Sequence, residues 1–398
     1  MKAAGIICEY NPFHIGHAEH IERTRRALGD CAIVCCMSGN FVQRGELAVF
    51  AKHARAEAAV LCGADLVVEL PPPHALSSAE RFARSGVRML DALRVCEYIS
   101  FGSESGNLES LKAAARALDT ERAGEIIRRE LAKGMPYAGA RTAAALEILA
   151  DGAPRPDAPN DMLGVEYLRA IAAERSAMTP LAVRRGSARG GDGSPSASAL
   201  RAELTAGRAG WERFVPPPAA EIFRREIVAG RAPVPAEGCE AAALSRLRSL
   251  GREAYLSLPD STDGAGERLL RFALREPTLR AVAEGAKTKR YVMSRLKRMI
   301  MCACLGITSR DADEPPRYIR VLAANGAGRA LLREIKARAG VPVITKPASA
   351  KRLPREALAQ FVKTAAATDY YVLAYPDERA RRGGQEWTTS ARIIDTEQ

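Results

Sequence analysis

Short apolar segments alternate with longer amphipathic segments along the first half of the chain. The apolar segments, which predict buried strands, lie at residues 5–8, 32–36, 66–70, 98–101 and 181–183. The amphipathic segments, which predict helices, lie at residues 16–28, 52–62, 78–93 and 108–118. Because strands that alternate with helices build βαβ units, the pattern predicts an α/β domain whose parallel sheet binds ligands at the carboxyl ends of its strands.

The pattern becomes mainly helical beyond two loop segments, at residues 151–159 and 189–195, that are rich in Gly, Pro and Asp. The helices predicted after them lie at residues 219–229, 239–250, 265–275 and 291–305. Residues 341–345 have the character of a further strand. We therefore divide the chain into an α/β region at residues 1–210 and a mainly helical region at residues 211–398.

Charge is distributed unevenly between these regions. The first 200 residues contain 24 basic and 24 acidic side chains, whereas residues 201–398 contain 35 and 23. The whole net charge of +12 therefore lies in the second half. Either this half binds a polyanion or it has a solvated basic surface, and charge alone does not decide between the two.

Length and composition exclude several classes of protein. A chain of 398 residues with 47% hydrophobic and 27% charged residues is neither a single small module nor a disordered or fibrous protein. It has no run of about 18 apolar residues and no apolar signal-peptide core, so we expect no membrane association. Nine cysteines without paired CxxC spacing favour reduced thiols and a cytoplasmic location.

Two histidines follow the first predicted strand, in the segment Glu-Tyr-Asn-Pro-Phe-His-Ile-Gly-His at residues 9–17. A helix is predicted to begin here, and a helix N-terminus presents free backbone N–H groups and a positive dipole end to phosphate. His14 and His17 are three residues apart, so both rings project to one side and can donate hydrogen bonds to phosphate oxygens. The segment thus predicts a nucleotide phosphate site suited to adenylyl transfer, in which charge develops on these oxygens.

Two alternatives remain open for this segment. Four residues can match the pattern HxGH by chance. In addition, His14, His17 and His20 have a helical spacing that could place all three on a zinc ion. No convincing carboxylate or thiolate set completes such a site, and the strand, turn and helix around the motif favour phosphate.

Further segments along nearly the whole chain resemble one enzyme family. They are Met-Ser-Gly-Asn-Phe-Val-Gln-Arg-Gly-Glu at 37–46, Ala-Asp-Leu-Val-Val-Glu-Leu-Pro at 64–71, Ser-Phe-Gly-Ser-Glu at 100–104, Pro-Asn-Asp-Met-Leu-Gly at 159–164, Val-Arg-Arg at 183–185 and Lys-Thr-Lys-Arg-Tyr at 287–291. With HxGH, they resemble the tRNA(Met) cytidine acetate ligase family of the HxGH nucleotidyltransferase superfamily. The resemblance implies a Rossmann-like nucleotidyltransferase domain with a parallel sheet, followed by a mainly helical, basic tRNA-binding region.

The resemblance also implies an activity. Such ligases use ATP and Mg²⁺ to convert acetate to acetyl-adenylate, and then acetylate N4 of the wobble cytidine of elongator tRNA(Met). His14 and His17 are then the catalytic residues. The implied ATP-binding residues are Ile7, Cys8, Glu9, Tyr10, Asn11, Pro12, Phe13, His14, Ile15, Gly16, His17, Ala18, Glu19 and His20, with Gly102, Asn160 and Arg185.

The last three residues also have simpler interpretations. Gly102 suits close approach of a nucleotide to a strand but also suits a turn. Asn160 can bind a nucleotide or cap the helix predicted at 162–170, and Arg185 can hold phosphate or lie free on the surface. The chain departs from the family at Ile15, where many members have Asn, and within residues 187–196.

Two polar segments supply weaker candidates. Residues 38–46 follow the second strand and can hold acetate or the cytosine, with Arg44 as the partner of a carboxylate, or can form a packed turn. Residues 196–201 resemble the serine-rich second signature of nucleotidyltransferases, which contacts the β- and γ-phosphates, or form a helix cap. The secondary candidates are Ser38, Asn40, Arg44, Ser196, Ser198 and Arg201.

The densest basic segment, residues 287–298, contains no acidic residue. Read as a helix, it has an apolar stripe that can pack and a basic face that can meet phosphates. Tyr291 and Tyr318 can stack on unpaired bases or belong to the core. A solvated helix has the same pattern, but beside a nucleotide-activating domain tRNA binding is the better interpretation. The candidate tRNA-binding residues are Lys287, Lys289, Arg290, Arg295, Lys297 and Arg298.

Functions from other classes explain part of the pattern. An adenylyltransferase for a small cofactor precursor accounts for HxGH but leaves the basic half without a role. An aminoacyl-tRNA synthetase accounts for both halves, yet the chain has no convincing KMSKS-type loop. A non-catalytic RNA-binding protein needs neither histidine. We expect tRNA rather than DNA as the nucleic-acid partner, and the sequence specifies no protein partner.

Overall fold

A central β-sheet organises the computed structural model, which describes residues 2–149, 158–185 and 197–395. The strands are β1 (Ala3–Cys8), β2 (Ala32–Ser38), β3 (Phe41–Val42), β4 (Glu46–Leu47), β5 (Leu66–Leu70), β6 (Tyr98–Ser103), β7 (Thr179–Arg184), β8 (Ile319–Ala324), β9 (Val343–Ile344) and β10 (Arg392–Ile393). The sheet has the order β10-β8-β5-β2-β1-β6-β7, with β9 beside β8, and β3 and β4 form a separate hairpin.

Helices cover the sheet and continue beyond it. In the first half they are α1 (Ile15–Leu28), α2 (Lys52–Leu61), α3 (Pro72–Ala75), α4 (Ala79–Leu93), α5 (Leu108–Leu118), α6 (Glu121–Ala132), α7 (Tyr137–Ile148), α8 (Pro159–Ala173) and α9 (Ala197–Thr205). In the second half they are α10 (Pro217–Val228), α11 (Glu240–Ser249), α12 (Arg252–Leu256), α13 (Ala265–Arg275), α14 (Leu279–Ala286), α15 (Met293–Leu305), α16 (Ser309–Asp313), α17 (Gly326–Arg338), α18 (Arg355–Val372) and α19 (Gln385–Thr388). In the described ranges, none of these helices is long and apolar enough to cross a membrane.

The five predicted strands of the first half correspond to β1, β2, β5, β6 and β7. All neighbours among them pair in parallel, which confirms the predicted α/β fold class. From β1 the sheet extends through β2 to one side and through β6 to the other. The strand order reverses at this point, so the crevice beyond the carboxyl ends of β1 and β6 is the expected ligand site.

The second half of the chain contributes to the same sheet. Strand β8 pairs antiparallel with β5, and both β9 and β10 pair in parallel with β8. The sequence pattern indicates β9 at residues 341–345 but misses β8, and it does not predict an antiparallel pair. The boundary predicted at residue 210 therefore does not coincide with a break in the sheet.

A buried ionic network joins the two halves. The Lys52 ammonium lies 2.7 Å from a Glu69 carboxylate oxygen and 2.6 Å from a Glu386 carboxylate oxygen. The Arg320 guanidinium lies 3.3 Å from the second oxygen of Glu386, and the Thr368 hydroxyl donates a hydrogen bond to the oxygen that faces Lys52. Buried charges are tolerated when they are paired and hydrogen-bonded in this way, so α2, β5, β8 and α19 are held in fixed relation to one another.

Helix α15 packs closely against the hairpin formed by β3 and β4. Gly45 connects these strands with φ of 79°, and a Cβ atom there would come within 2.4 Å of the Lys297 backbone carbonyl carbon. Glycine is therefore required both by the turn and by the approach of the helix. Lys297 adds an ion pair of 2.7 Å with Glu46, so the basic segment is attached to the sheet domain next to the site.

Candidate active site

The loop after β1 places two histidine rings side by side. His14 caps α1, and its Nδ1 accepts a hydrogen bond of 3.1 Å from the Gly16 backbone N–H. His17 Nδ1 accepts a bond of 3.2 Å from the His14 backbone N–H, and the two ring centroids lie 3.8 Å apart. Because each Nδ1 is an acceptor, a neutral ring carries its proton on Nε2 and can donate from that atom.

Aromatic packing holds this loop in place. Tyr10 has φ of 46°, and its hydroxyl is 3.4 Å from the Cys35 sulfur. The Tyr10 ring lies edge-on to Phe13, with centroids 4.8 Å apart, and both side chains are buried in the core. A tyrosine held in this uncommon backbone conformation by the core fixes the direction in which the chain enters α1.

The three histidines at the start of α1 have lowered pKa values, which favours their neutral form at pH 7. Burial, followed by the nearby charge of Arg185, lowers the pKa of His14 to about 4 and that of His20 to about 4. Burial and the neighbouring His14 and Arg185 lower the pKa of His17 well below its usual value. His20 Nε2 lies 3.0 Å from the Ser100 hydroxyl, which fixes its ring. The group therefore offers hydrogen-bond donors without adding charge of its own.

Arg185 lies at the end of β7 beside Gly102. A Cβ atom at residue 102 would come within 3.3 Å of the Arg185 side chain, so glycine leaves the space that this arginine occupies. The Arg185 backbone N–H donates to the Ser103 carbonyl over 2.8 Å. Its side chain is exposed and has no ion pair within the described part of the chain. An unpaired guanidinium beside histidines at a helix N-terminus is an arrangement suited to binding an anion.

Asn160 lies in the first turn of α8 and not at its cap. The cap is Ala158, so the interpretation of Asn160 as a helix cap is wrong. Its amide donates to one carboxylate oxygen of Glu104, and the other oxygen accepts from the Asp161 backbone N–H over 3.1 Å. The Asp161 carboxylate in turn accepts from Ser103 and from the Glu104 backbone N–H. These reciprocal bonds fix the start of α8 against the end of β6.

A cleft of about 1350 Å³ opens at this edge of the sheet. The predicted ATP-binding residues that line it are Ile7, Cys8, Glu9, Tyr10, Asn11, Gly16, His17, His20, Gly102, Asn160 and Arg185. The other predicted residues have different positions. Pro12 and Phe13 are buried, His14 caps the helix, and Ile15, Ala18 and Glu19 line a second pocket with residues 212–217.

The polar loop at residues 38–46 divides between buried and open side chains. Ser38 is buried and lies 3.5 Å from Glu9. Asn40 is also buried, and its carbonyl oxygen accepts from the Lys52 backbone N–H over 2.8 Å, so it stabilises the fold rather than facing a ligand. Arg44 is exposed, lines the cleft, and has no ion pair with the described residues. Of the candidates Ser38, Asn40 and Arg44, only Arg44 has an exposed side chain that a substrate can reach.

The serine-rich segment at residues 196–201 contacts the HxGH loop through Arg201. Arg201 lines the cleft, and its guanidinium donates to the Asn11 carbonyl over 2.8 Å and to the Ser198 hydroxyl over 3.1 Å. It therefore holds the HxGH loop in position. Ser196 and the segment 187–196 lie outside the described residues.

The described ranges contain no group of three or more His, Cys, Asp or Glu side chains arranged to hold a metal ion. The alternative of a zinc site on His14, His17 and His20 therefore has no support.

The basic segment at residues 287–298 also reaches the cleft, but only part of it is open. Arg295 donates to the Asp260 and Thr262 carbonyls, and Arg298 is buried and pairs with Asp260 at 3.1 Å. With Lys297 paired to Glu46, these three side chains are used within the fold. The exposed members, which have no ion pair in the described structure, are Lys287, Lys289 and Arg290, and Arg290 lines the cleft.

Tyr291 and Tyr318, the two tyrosines considered for stacking on bases, are both core residues. The Tyr291 hydroxyl donates to the Asp263 carbonyl, and Tyr318 is fully buried with its hydroxyl 2.8 Å from that of Thr364. They are not available to stack on bases. The aromatic side chain that does line the cleft in an exposed position is Tyr137.

Three arginines of α4 also line the cleft, although the sequence did not indicate them as site residues. Arg81, Arg84 and Arg88 of α4 line it, and their spacing of three and four residues was the available signal, because it places them on one helix face. All three are paired with acids: Arg81 with Asp313 at 3.0 Å, and Arg84 and Arg88 with Glu174. Their role is to shape the cleft wall rather than to present free charge.

Comparison with known proteins identifies the fold and family. The family model described as HIGH Nucleotidyl Transferase matches residues 1–386. A tRNA(Met) cytidine acetate ligase from Acetivibrio thermocellus is 34% identical over 99% of this chain and 100% of its own length. Another from Syntrophotalea carbinolica is 36% identical over 87% of this chain and 85% of its own.

A solved structure gives the same result. TmcAL from Thermotoga maritima, crystallised with alpha-thio ATP, superposes with a TM-score of 0.92 at 30% sequence identity, covering 100% of both chains. These matches extend over both halves of the sequence, as do the motifs. The chain therefore belongs to the tRNA(Met) cytidine acetate ligase family, a family of ligases with the HIGH nucleotidyltransferase fold.

Proposed function

We propose that this protein activates acetate with ATP and transfers the acetyl group to N4 of the wobble cytidine of elongator tRNA(Met). The observation that carries the proposal is that His17, His20 and Arg185 line the same cleft as Arg290 of the basic segment. The relatives named tRNA(Met) cytidine acetate ligase and the neighbour crystallised with alpha-thio ATP support the same activity. We expect the protein to act in the cytoplasm, where its substrates are found.

ATP would lie with its phosphates at the N-terminus of α1. The Nε2 atoms of His14 and His17, the free backbone N–H groups of the helix and the Arg185 guanidinium supply donors for the phosphate oxygens. Because the rings are already neutral and positioned, they stabilise the charge on departing pyrophosphate with little reorganisation. Mg²⁺ usually binds through substrate phosphates and waters, so we expect it to enter with ATP rather than to occupy a protein cage.

Arg44 is the residue we assign to acetate, because its guanidinium is unpaired within the described structure and lines the cleft. In the first step, an acetate oxygen attacks the α-phosphorus and pyrophosphate leaves, which gives acetyl-adenylate. In the second step, the N4 amine of cytosine attacks the acetyl carbon, AMP leaves and the nitrogen loses a proton. No enzyme nucleophile is required, and burial raises the pKa of the Cys8 thiol in the cleft well above its usual value.

The deciding experiment is acetate-dependent exchange of labelled pyrophosphate into ATP in the presence of Mg²⁺, with and without tRNA. We expect exchange by the intact protein and a loss of at least about 100-fold in His17→Ala, as for removal of a transition-state hydrogen-bond donor. The matched control is Glu22→Ala, since Glu22 is exposed on the same helix and forms a solvent-exposed ion pair with Arg26. Absence of acetate-dependent exchange by the intact protein, with tRNA and Mg²⁺ present, would exclude acetate activation.

A further inference from the structure

One aromatic side chain differs from all the others in its exposure. The chain contains ten tyrosines, nine phenylalanines and two tryptophans, all within the described residues. Tyr137 is the only one of them that is exposed, with 50% of its surface accessible. An aromatic ring buries a large apolar area when it packs, so this ring on the wall of the cleft offers a flat surface to a ligand.

The backbone and a neighbouring charge hold this ring in place. Tyr137 is the first residue of α7 and follows Pro136, whose ring fixes φ at the helix start. One turn later, the Arg141 guanidinium lies 5.7 Å from the centre of the Tyr137 ring. Arg141 is itself buried and pairs with Glu166 of α8, and it lies 3.9 Å from Glu80 of α4. The ring is therefore supported by a fixed cation.

The position of the ring suits a nucleobase. Tyr137 lines the cleft together with His17, Arg44 and Arg290, and the two arginines have no ion pair within the described ranges. A flat π-surface beside free cations is the combination that binds single-stranded nucleic acid, because bases stack on the ring while phosphates meet the charges. The ring and its supporting arginine belong to α7, whereas the nucleotide site is built from β1, α1, β6, α8 and β7.

We propose that Tyr137 is a positioning residue on which an unpaired base of the RNA substrate stacks when the acceptor cytosine enters the cleft. The proposal rests on the function proposed above and adds the residue that recognises the unpaired loop. The adenine of ATP is the other base present in the reaction, and we propose above that the ATP phosphates bind at the N-terminus of α1. A substitution of Tyr137 that weakens RNA binding and leaves the KM for ATP unchanged shows that the stacked base belongs to RNA and not to ATP.

The test compares Tyr137→Ala with Tyr137→Phe, which keeps the ring and removes only the hydroxyl. Because Tyr137 is half exposed, we expect both variants to fold, and thermal unfolding checks this. The expected result for Tyr137→Ala is an approximately tenfold weaker Kd for full-length tRNA, with acetate-dependent pyrophosphate exchange and the KM for ATP unchanged. Tyr137→Phe should remain within about twofold of the intact protein, because stacking depends on the ring.

A second arm identifies the base. Transcripts that each lack one base of the anticodon loop are bound to the intact protein and to Tyr137→Ala. At one position, removal of the base should weaken binding to the intact protein and abolish the difference between the two proteins. The proposal is overturned if Tyr137→Ala binds tRNA normally, if Phe and Ala lose affinity equally, if the KM for ATP rises instead, or if the difference persists in every transcript.

Failure of the proposed function gives a separate result. If the intact protein shows no acetate-dependent exchange, the proposed activity is wrong. The comparison of tRNA binding by the intact protein and Tyr137→Ala still shows whether an RNA base stacks on Tyr137. If exchange occurs but no base removal abolishes the difference in tRNA binding between the intact protein and Tyr137→Ala, the proposed acetate activation is kept and the proposed role of Tyr137 is rejected.

Discussion

At the scale of single residues, the candidate site combines histidine hydrogen-bond donors with Arg185, which has no ion pair among the described residues. The sequence could predict that His14 and His17 share a side of a helix, because spacing alone determines this. It could not predict their low pKa values, which arise from burial and from Arg185, a residue about 170 positions away in the chain. Long-range electrostatics of this kind depend on the folded sheet that brings β7 next to α1.

Arg185→Gln should separate the two roles of this arginine. Loss of the guanidinium removes charged hydrogen bonds to phosphate, and we expect about 10- to 100-fold weaker ATP binding, measured by calorimetry. It also removes a positive charge beside His14 and His20, so their pKa values should rise from about 4 toward the ordinary value, as NMR titration of the ring protons would measure. The control is Arg184→Gln, which changes the preceding exposed arginine outside the cleft wall. Equal loss of ATP affinity in both variants would contradict the assignment.

At the scale of elements, local patterns predicted the five parallel strands of the first half, but not the hairpin of β3 and β4, and several helices of the second half. Residues 66–70, 108–118 and 265–275 were located to the residue as β5, α5 and α13. Strand β8 was missed because Arg320 interrupts its apolar residues and because its pairing with β5, about 250 residues away in the chain, leaves no local signal. Asn160 was misjudged as a possible cap because the helix begins one turn earlier than its apolar pattern suggests.

The basic segment shows how an element's context changes its meaning. Its six cations look equivalent in the sequence, but Arg295, Lys297 and Arg298 are engaged by Asp260, Thr262 and Glu46. Only its first part, with Lys287, Lys289 and Arg290, has charges without an ion pair in the described structure. The RNA contacts that we propose for this segment therefore involve the loop between α14 and α15 rather than the body of α15.

Charge reversal tests that division. We expect Lys289→Glu with Arg290→Glu to weaken tRNA binding and to reduce the salt dependence of binding by about two phosphate contacts, while acetate-dependent exchange continues. Lys351→Glu with Arg352→Glu is a matched control, because it reverses another exposed Lys-Arg pair that lies outside the cleft wall. Binding and salt slope are measured by filter titration from low to moderate salt. A loss of the same size in the control would show that total charge, not this loop, determines affinity.

At the scale of the whole molecule, the excess of basic residues overstates the surface available to RNA. Many arginines of the second half serve packing: Arg320 is fully buried, and Arg248 and Arg268 donate to backbone carbonyls. Composition could therefore indicate a polyanion partner but not the area that contacts it. The single sheet that contains β8 and β5 likewise makes the molecule more continuous than the change of pattern at residue 210 suggests.

Stability should fall when the pH drops from 7 to 5. All five histidines, which are residues 14, 17, 20, 53 and 74, have pKa values that are lowered chiefly by burial. The pKa is about 4 for His14, His20 and His74, about 3 for His53, and well below the usual value for His17. The unfolded chain therefore binds more protons between pH 6.5 and about 4, so the contribution of these groups is present above pH 6.5 and is lost as the pH falls. Urea unfolding at pH 7 and pH 5 measures the difference, and His74→Gln should reduce it. Equal stability at both pH values would contradict the folded-state pKa values.

The buried network provides the last test, since it connects residues from both halves of the chain. Glu386→Ala leaves Lys52 and Arg320 buried with one carboxylate between them, and we expect a loss of about 3–5 kcal/mol in the free energy of unfolding. Glu356→Ala is the control, because Glu356 is exposed and its pair with Arg317 should contribute less than about 1 kcal/mol.

The pH dependence of this effect has a defined sign. Burial opposes ionisation of Glu386, but Lys52 and Arg320 outweigh it and lower the pKa of Glu386 to about 2. Its stabilising contribution is therefore present above the ordinary pKa of a glutamate, about 4.3, and is lost as the pH falls through about 2. The difference between intact protein and Glu386→Ala should be constant from pH 5 to 7. Because β8 lies in the same sheet as β5, Glu386→Ala should shift one cooperative transition, and an early separate transition of the second half would contradict a shared core.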